Sequence, residues 1–203
     1  MIAIIDYGVG NLFSLVSSFK AVGAHTVVTG DPEVIKKADK LVLPGVGAFG
    51  DAAKKLFSSG LVDVIKQEAA SGKPLMGVCL GMQLLFDKSY EYGCHNGLGL
   101  IKGEVVPMNG EIPENLKVPH IGWNGLHFKN ENPIFKYIND GDCVYFVHSY
   151  YVRTEENNLT ATTDYGKEIT AAVRKGNIYG CQFHPEKSGN VGLNILKAFC
   201  EME

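Results

Sequence analysis

No pair of cysteines in this chain has the CxxC spacing. Its five cysteines, Cys79, Cys94, Cys143, Cys181 and Cys200, are odd in number and well separated. That distribution argues against a disulfide framework or a zinc site and for a reducing cytoplasmic setting. Excess charge is missing too: 19 Lys and Arg against 22 Asp and Glu leave a net charge of −3, scattered along the chain. Such a balance offers no electrostatic footprint for nucleic acid or an anionic membrane. The opening MIAIIDYGVGN turns polar and glycine-rich after a short apolar run, so neither a signal peptide nor a transmembrane span is expected there. No internal repeat, low-complexity tract, compositional break or phosphate-binding loop is evident. One domain over residues 1–203 is the expectation. With 45% hydrophobic and 20% charged residues, the chain has the profile of a soluble globular protein with a real core.

The first half alternates short apolar runs with helical patterns. Strands are expected at Ile2–Ile5, Thr26–Thr29, Lys40–Leu43 and Pro74–Val78. Helices are expected after Asn11, a plausible N-cap, after Asp31-Pro32, and at Asp51–Phe57, Leu61–Ala70 and Leu80–Phe86. This alternation implies parallel strands with helices on both faces, a three-layer α/β/α architecture of flavodoxin-like type. From Gly97 the texture changes. Gly103–Met108, Gly122–Phe128, Cys143–Val147, Leu159–Thr163, Thr170–Arg174 and Asn177–Phe183 read as strands, with a closing helix near Val191–Cys200. They are expected to extend the same sheet in mixed or antiparallel fashion.

The stretch GVCLGMQLL, from Gly77 to Leu85, places Cys79 in the turn between an expected strand and an expected helix. The pattern G-x-C-x-G is the cysteine counterpart of the nucleophile elbow. Glycine at plus and minus two gives clearance where the chain doubles back on itself. The turn would expose sulfur at the carboxyl end of a parallel sheet and at a helix N-terminus, where thiolate is favoured. On this motif alone, a small buried hydrophobe is an equal reading. A nucleophilic cysteine needs a base, and Phe183-His184-Pro185-Glu186 supplies one. Proline keeps the residue before it extended, so His184 should continue the strand. Glu186, two residues on, should project to the same side and orient the imidazole. Singly, His184 could be a loop histidine and Glu186 a solvated charge; with the elbow they make a triad. The glycines of Pro44-Gly45-Val46-Gly47 would let an N–H near Val46 join that of Leu80 as an oxyanion hole, although spacing alone favours a plain tight turn.

These residues resemble the class I (triad) glutamine amidotransferases, and more closely the glutamine amidotransferase subunits of imidazole glycerol phosphate synthase. The stretches that carry the resemblance are IIDYGVGN (4–11), LPGVGAFG (43–50), GVCLGMQLLF (77–86), GLGLIKGEV (97–105), PHIGWN (119–124), YFVHSYY (145–151) and FHPEKSG (183–189). They run from end to end in matching order. The resemblance implies that Cys79 attacks the carboxamide of glutamine, His184 shuttles the proton and Glu186 orients His184. It implies that Gly47, Gln83, Glu91, His148, Ser149 and Tyr150 hold the glutamine, with no metal or cofactor. Gln83 also fits physically, one helical turn beyond Cys79.

The resemblance further implies a partner, a separate (β/α)₈-barrel cyclase that consumes the ammonia, docked on a surface including Tyr7, Gly10, Asn11, Trp123, Tyr145 and Lys187. Trp123, the only tryptophan, suits an interface anchor; a core position suits it equally on sequence. Three other readings keep the same residues. One is a related subunit feeding ammonia to nucleotide-sugar or polysaccharide synthesis. Another is a stand-alone cysteine hydrolase such as a γ-glutamyl hydrolase, and the last is a non-catalytic binding module.

Overall fold

Four-residue apolar runs, too short for stable helices, build the centre of the molecule. The computed structural model describes residues 1–202. Strands β1 (Ile2–Ile5), β2 (Thr26–Thr29), β3 (Lys40–Leu43) and β4 (Leu75–Val78) alternate with helices α1 (Leu12–Ala21), α2 (Pro32–Lys37), α3 (Phe49–Ser58) and α4 (Val62–Ala70), and β4 leads directly into α5 (Leu80–Leu84). Next come short strands β5 (Lys88–Ser89) and β6 (His95–Asn96), then β7 (Gly103–Pro107), β8 (His120–Gly125) and β9 (His127–Phe128). Strands β10 (Cys143–His148), β11 (Tyr150–Thr154), β12 (Leu159–Asp164), β13 (Glu168–Lys175) and β14 (Ile178–Cys181) precede the closing helix α6 (Gly189–Cys200).

The central sheet has eight strands in the order β2-β1-β3-β4-β14-β13-β12-β9. Its first five are mutually parallel, and β13, β12 and β9 add antiparallel pairs. Both faces are covered. Along β1, Ala3 and Ile5 join one apolar cluster with Leu56, Ile65 and Phe86, while Ile2 and Ile4 join another with Phe19, Leu196 and Phe199. That two-residue alternation within an all-apolar run is what a sheet between two helical layers requires. The caps follow the sequence as well: Asn11 accepts from the Ser14 N–H, and Asp31 from the Glu33 N–H ahead of Pro32 in the first turn of α2.

The expected extension of the sheet holds for β12, β13 and β14 but not for every later segment. Gly103–Pro107 instead lies in a four-stranded sheet with β11, β5 and β6, and β8 pairs with β10 alone. Exposure explains the difference. Ile121 and Trp123 of β8 are 58% and 55% exposed, so that strand buries one face only and cannot sit between two helical layers. Helix α5 also stops at Leu84, two residues short of the expected end.

Candidate active site

The elbow is one residue long. Strand β4 ends at Val78 and α5 starts at Leu80, so Cys79 alone makes the turn, with φ 54° and ψ −113°. A non-glycine residue held there costs about 1–3 kcal/mol and persists only when its surroundings over-determine it. They do. A Cβ on Gly77 would lie 2.7 Å from the Gly81 carbonyl oxygen and from Met82, and one on Gly81 would lie 1.9 Å from the Leu43 carbonyl oxygen. The expected clearance is therefore needed on both sides, though for Gly81 the obstacle is neighbouring strand β3. The Cys79 N–H also donates to the Cys181 carbonyl at 2.7 Å, tying the turn to β14. Cys79 opens into a cavity of about 420 Å³ that Val46, Gly47, Leu80, Gln83, Glu91, His148, Ser149, Tyr150, His184 and Lys187 also line. This is a volume suited to a small molecule.

His184 sits three residues past the end of β14 with extended backbone (φ −99°, ψ 98°). Its imidazole Nδ1 lies 2.7 Å from Glu186 Oε1, with both side chains almost wholly buried. The contact matches expectation; its route does not. Residues Pro185–Lys187 form a single 3₁₀ turn, so Glu186 swings back to His184 around that turn and not along a pleated strand. The His184 N–H donates to the Tyr145 carbonyl at 3.0 Å. Ser188 Oγ donates to the His184 carbonyl at 2.6 Å and accepts from the Tyr145 N–H at 3.0 Å. Burial alone would lower the imidazole pKa, but the neighbouring Cys79 sulfur and Glu186 carboxylate outweigh it and raise it to about 10. The cationic form of the ring is thus favoured between the Cys79 sulfur and a carboxylate.

Behind the cavity, polar side chains are linked to one another. Gln83 Nε2 donates to the Tyr150 carbonyl at 3.2 Å and to Gln182 Oε1 at 2.9 Å, and Gln182 Nε2 lies 3.8 Å from Cys79 Sγ. The Tyr150 carbonyl also faces His148 Nδ1 at 2.9 Å, and His148 Nε2 faces His120 Nδ1 at 3.0 Å. Burial pushes the His148 pKa down to about 3 and lowers that of His120. Gln182 and Ser188 went unsuspected in the sequence. The signal for Gln182 was a polar residue inside the apolar run Ile178–Phe183, which in a folded core demands a partner.

The remaining expected residues divide between the cavity and the surface. The N–H groups of Val46 and Leu80 have no hydrogen-bond partner among the described residues. A Cβ on Gly45 would lie 2.6 Å from the Gly81 nitrogen, so glycine there lets the Pro44–Gly47 turn pack directly on the elbow. The Tyr7 hydroxyl donates to the Pro44 carbonyl at 2.7 Å. Tyr7 is therefore a buried support for that turn and not the exposed docking residue expected. Glu91 Oε2 accepts from the Phe49 N–H at 2.6 Å, at the start of α3. Gly10 and Asn11 are half-buried beside α1. Trp123 is exposed, which excludes the core alternative; it packs edge-on against its cross-strand partner Tyr145, with Lys187 over the Tyr145 ring.

Comparison with known proteins adds the family. The model of the family described as "Glutamine amidotransferase class-I" matches residues 3–202. The imidazole glycerol phosphate synthase subunit HisH of Caldanaerobacter subterraneus subsp. tengcongensis is 51% identical over 203 residues, covering 100% of this chain and 98% of the relative. The subunit of the same name from Lactococcus lactis is 50% identical, covering 98% of each. Among solved structures, one titled as a glutamine amidotransferase superposes with a TM-score of 0.75 at 18% identity, over 98% of this chain and 99% of that one. The PurLQS structure from Thermotoga maritima gives 0.73 at 19%, over 98% and 96%; at such identity both speak for the fold. An elbow cysteine beside a buried histidine–carboxylate pair thus occurs on a matching fold and in a matching sequence: the chain belongs to the class-I glutamine amidotransferase family.

Proposed function

We propose that the chain is the glutaminase subunit of an imidazole glycerol phosphate synthase and serves histidine biosynthesis in the cytoplasm. It hydrolyses glutamine with Cys79, His184 and Glu186 and passes the ammonia to a (β/α)₈-barrel cyclase. The observation that carries the chemistry is that Cys79 and His184 line one cavity, with the Glu186 carboxylate 2.7 Å from the His184 Nδ1. Cys79 Sγ attacks the side-chain carbonyl carbon of glutamine. The C–N bond breaks, and the imidazolium of His184 gives its proton to the departing ammonia. His184 then takes a proton from water, whose oxygen adds to the thioester carbon. The C–S bond breaks, its electron pair returns to sulfur, and glutamate leaves. Glu186 fixes the Nδ1–H tautomer of His184 and stabilises its cation. Gly47, Glu91 and the Ser149 region surround the substrate, and the unclaimed N–H groups of Val46 and Leu80 stabilise the oxyanion.

Two features favour a subunit over a stand-alone hydrolase. One is the exposed Trp123 packed on Tyr145, whose ring lies under the cavity-lining Lys187, an anchor suited to a docked partner. The other is relatives of about half identity named as synthase subunits. The Val46 peptide, next to Gly47 with φ +89°, turns its N–H into the site when the cyclase docks. Until then one donor is missing, which costs about 10²–10³ in rate. The test is glutaminase activity with and without the cyclase subunit. Activity should rise at least a hundredfold on mixing and vanish in Cys79→Ser while the complex still forms. Equal rates would sink the activation step, and an active Cys79→Ser would sink the nucleophile.

A further inference from the structure

The polar chain that ends on the nucleophile has a direction, and chemistry fixes it. A backbone carbonyl only accepts hydrogen bonds. The Tyr150 carbonyl lies 3.2 Å from one end of the Gln83 carboxamide, so that end is the NH₂. The same NH₂ lies 2.9 Å from one end of the Gln182 carboxamide, so that end is the oxygen. What remains to face Cys79 Sγ, at 3.8 Å, is the Gln182 NH₂. Turning Gln182 over would set NH₂ against NH₂ on one side and oxygen against sulfur on the other. Gln182 is fully buried, and its backbone N–H donates to the Ala171 carbonyl at 2.8 Å, so no water competes for its amide and its backbone is anchored.

We propose that Gln182 is a catalytic residue of this glutaminase, donating a side-chain N–H to Cys79 Sγ with a polarity imposed by the Tyr150 carbonyl through Gln83. The inference rests on Cys79 being the nucleophile. A hydrogen bond to a charged acceptor is roughly twice as strong as one to a neutral acceptor. The donor therefore acts when sulfur carries charge: before attack, and again as the C–S bond of the thioester breaks and its electron pair returns to sulfur. It contributes least to the neutral thioester between those points, which is the differential stabilisation a catalytic contact needs. Sulfur is then addressed by His184 for proton transfer and by Gln182 for charge. The Gln83 NH₂ is also committed inside the protein, so that nitrogen is not what holds the substrate glutamine.

The test is the pH profile of Cys79 alkylation by iodoacetamide on the full chain, read by peptide mass spectrometry because Cys94 and Cys143 are exposed and also react. Gln182→Met removes the donor. Gln182→Glu keeps the shape and the oxygen for Gln83 but presents sulfur with an acceptor. The midpoint should rise by about one pH unit in Met, a tenfold slower reaction at a fixed pH below the midpoint, and by more in Glu, with the high-pH plateau retained. Packing damage alone would lower the plateau and leave the midpoint where it was. Gln83→Met frees Gln182 to turn, should raise the midpoint by less, and carries the test if the Gln182 variants fail to fold. An unmoved midpoint in whichever variant folds overturns the proposal. That failure is separable from a wrong nucleophile, which an active Cys79→Ser would reveal.

Discussion

Cys79 reaches the cavity because backbone atoms crowd it into place, whereas His184 reaches it because hydrogen bonds hold its peptide. At the elbow, Gly45, Gly77 and Gly81 each leave space that a Cβ would fill against main chain, and Cys79 is left with a positive φ. Around His184 the restraints are the Tyr145 carbonyl, Ser188 Oγ and the Glu186 carboxylate. A steric restraint exists there too, at Gly192, where a Cβ would lie 1.8 Å from the Pro185 carbonyl oxygen. Yet none of it acts on the imidazole directly. The nucleophile is placed by what cannot move and the base by contacts that exchange, so substitutions should fail abruptly in one region and by degrees in the other.

The largest effect is expected from Gly81→Ala. Its Cβ would meet the Leu43 carbonyl oxygen at 1.9 Å, a main-chain atom of β3 that no side-chain rotation can move aside. We expect a loss above about 4 kcal/mol, the range reserved for named steric faults, read as absence of a cooperative urea transition. Gly47→Ala is the control: its φ is positive, at +89°, as that of Gly81 is not, and nothing lies within 4 Å of its Cβ. The loss there should be about 1 kcal/mol. Equal losses would show that the crowding at Gly81 is relieved and costs no more than a positive φ.

Ser188→Ala comes next and probes the other region. It leaves the His184 carbonyl and the Tyr145 N–H without their hydroxyl partner, a penalty of about 1–3 kcal/mol. The chain should fold, melt earlier and retain reduced glutaminase activity, since the imidazole keeps Glu186. Complete loss of activity with unchanged stability would make Ser188 part of the chemistry and erase the graded behaviour expected of this side.

The same contrast explains what could be read from the sequence. The elbow was legible because its determinants are local: an apolar run, then glycines at fixed offsets from a cysteine. Strands β1 to β4 were legible for a related reason, each being a short apolar run bounded by turn residues. The surroundings of His184 were not, because Ser188, Tyr145 and Gln182 act through pairings set by tertiary structure. The His184–Glu186 contact was anticipated through a pleated strand and is made through a 3₁₀ turn; a two-residue spacing permits either. The small sheets escaped because β8 and β10 alternate in burial just as an edge of the main sheet would, and only their partners distinguish the two. Trp123 was undecidable for that reason, and the register opposite Tyr145 puts it outside.

Two buried histidines of the same cavity carry the comparison into pH. His148 is pushed down to about 3 by burial, while His184 is raised to about 10 by the sulfur and Glu186 despite burial. An unfolded histidine titrates near about 6.5. Below that value the unfolded chain binds a proton that folded His148 refuses, so stability falls as pH drops from about 6.5 towards 3. Above it, folded His184 keeps a proton that the unfolded chain has released, so its contribution is lost as pH rises towards about 10. Each limb has a limiting slope of about 1.4 kcal/mol per pH unit. Urea midpoints from pH 4 to 10 should show His148→Gln flattening the acid limb and Glu186→Gln the alkaline one. If either variant flattened both, the two rings would be titrating as one unit.

The smallest effect isolates the strain itself. With φ 54° at Cys79, alanine keeps the Cβ that makes this conformation unfavourable, and glycine removes it. Elsewhere in a fold, glycine is the less stable of the two by about 0.5–1 kcal/mol because it frees the unfolded chain. Here the order should invert, Cys79→Gly being more stable than Cys79→Ala by about 1 kcal/mol, with both inactive. Thermal melts of the two variants under one condition decide it, because both lack sulfur and any difference belongs to the backbone. The usual order would mean that the turn relaxes once sulfur is gone. The cysteine side chain, and not the crowding glycines, would then hold the elbow in its strained form.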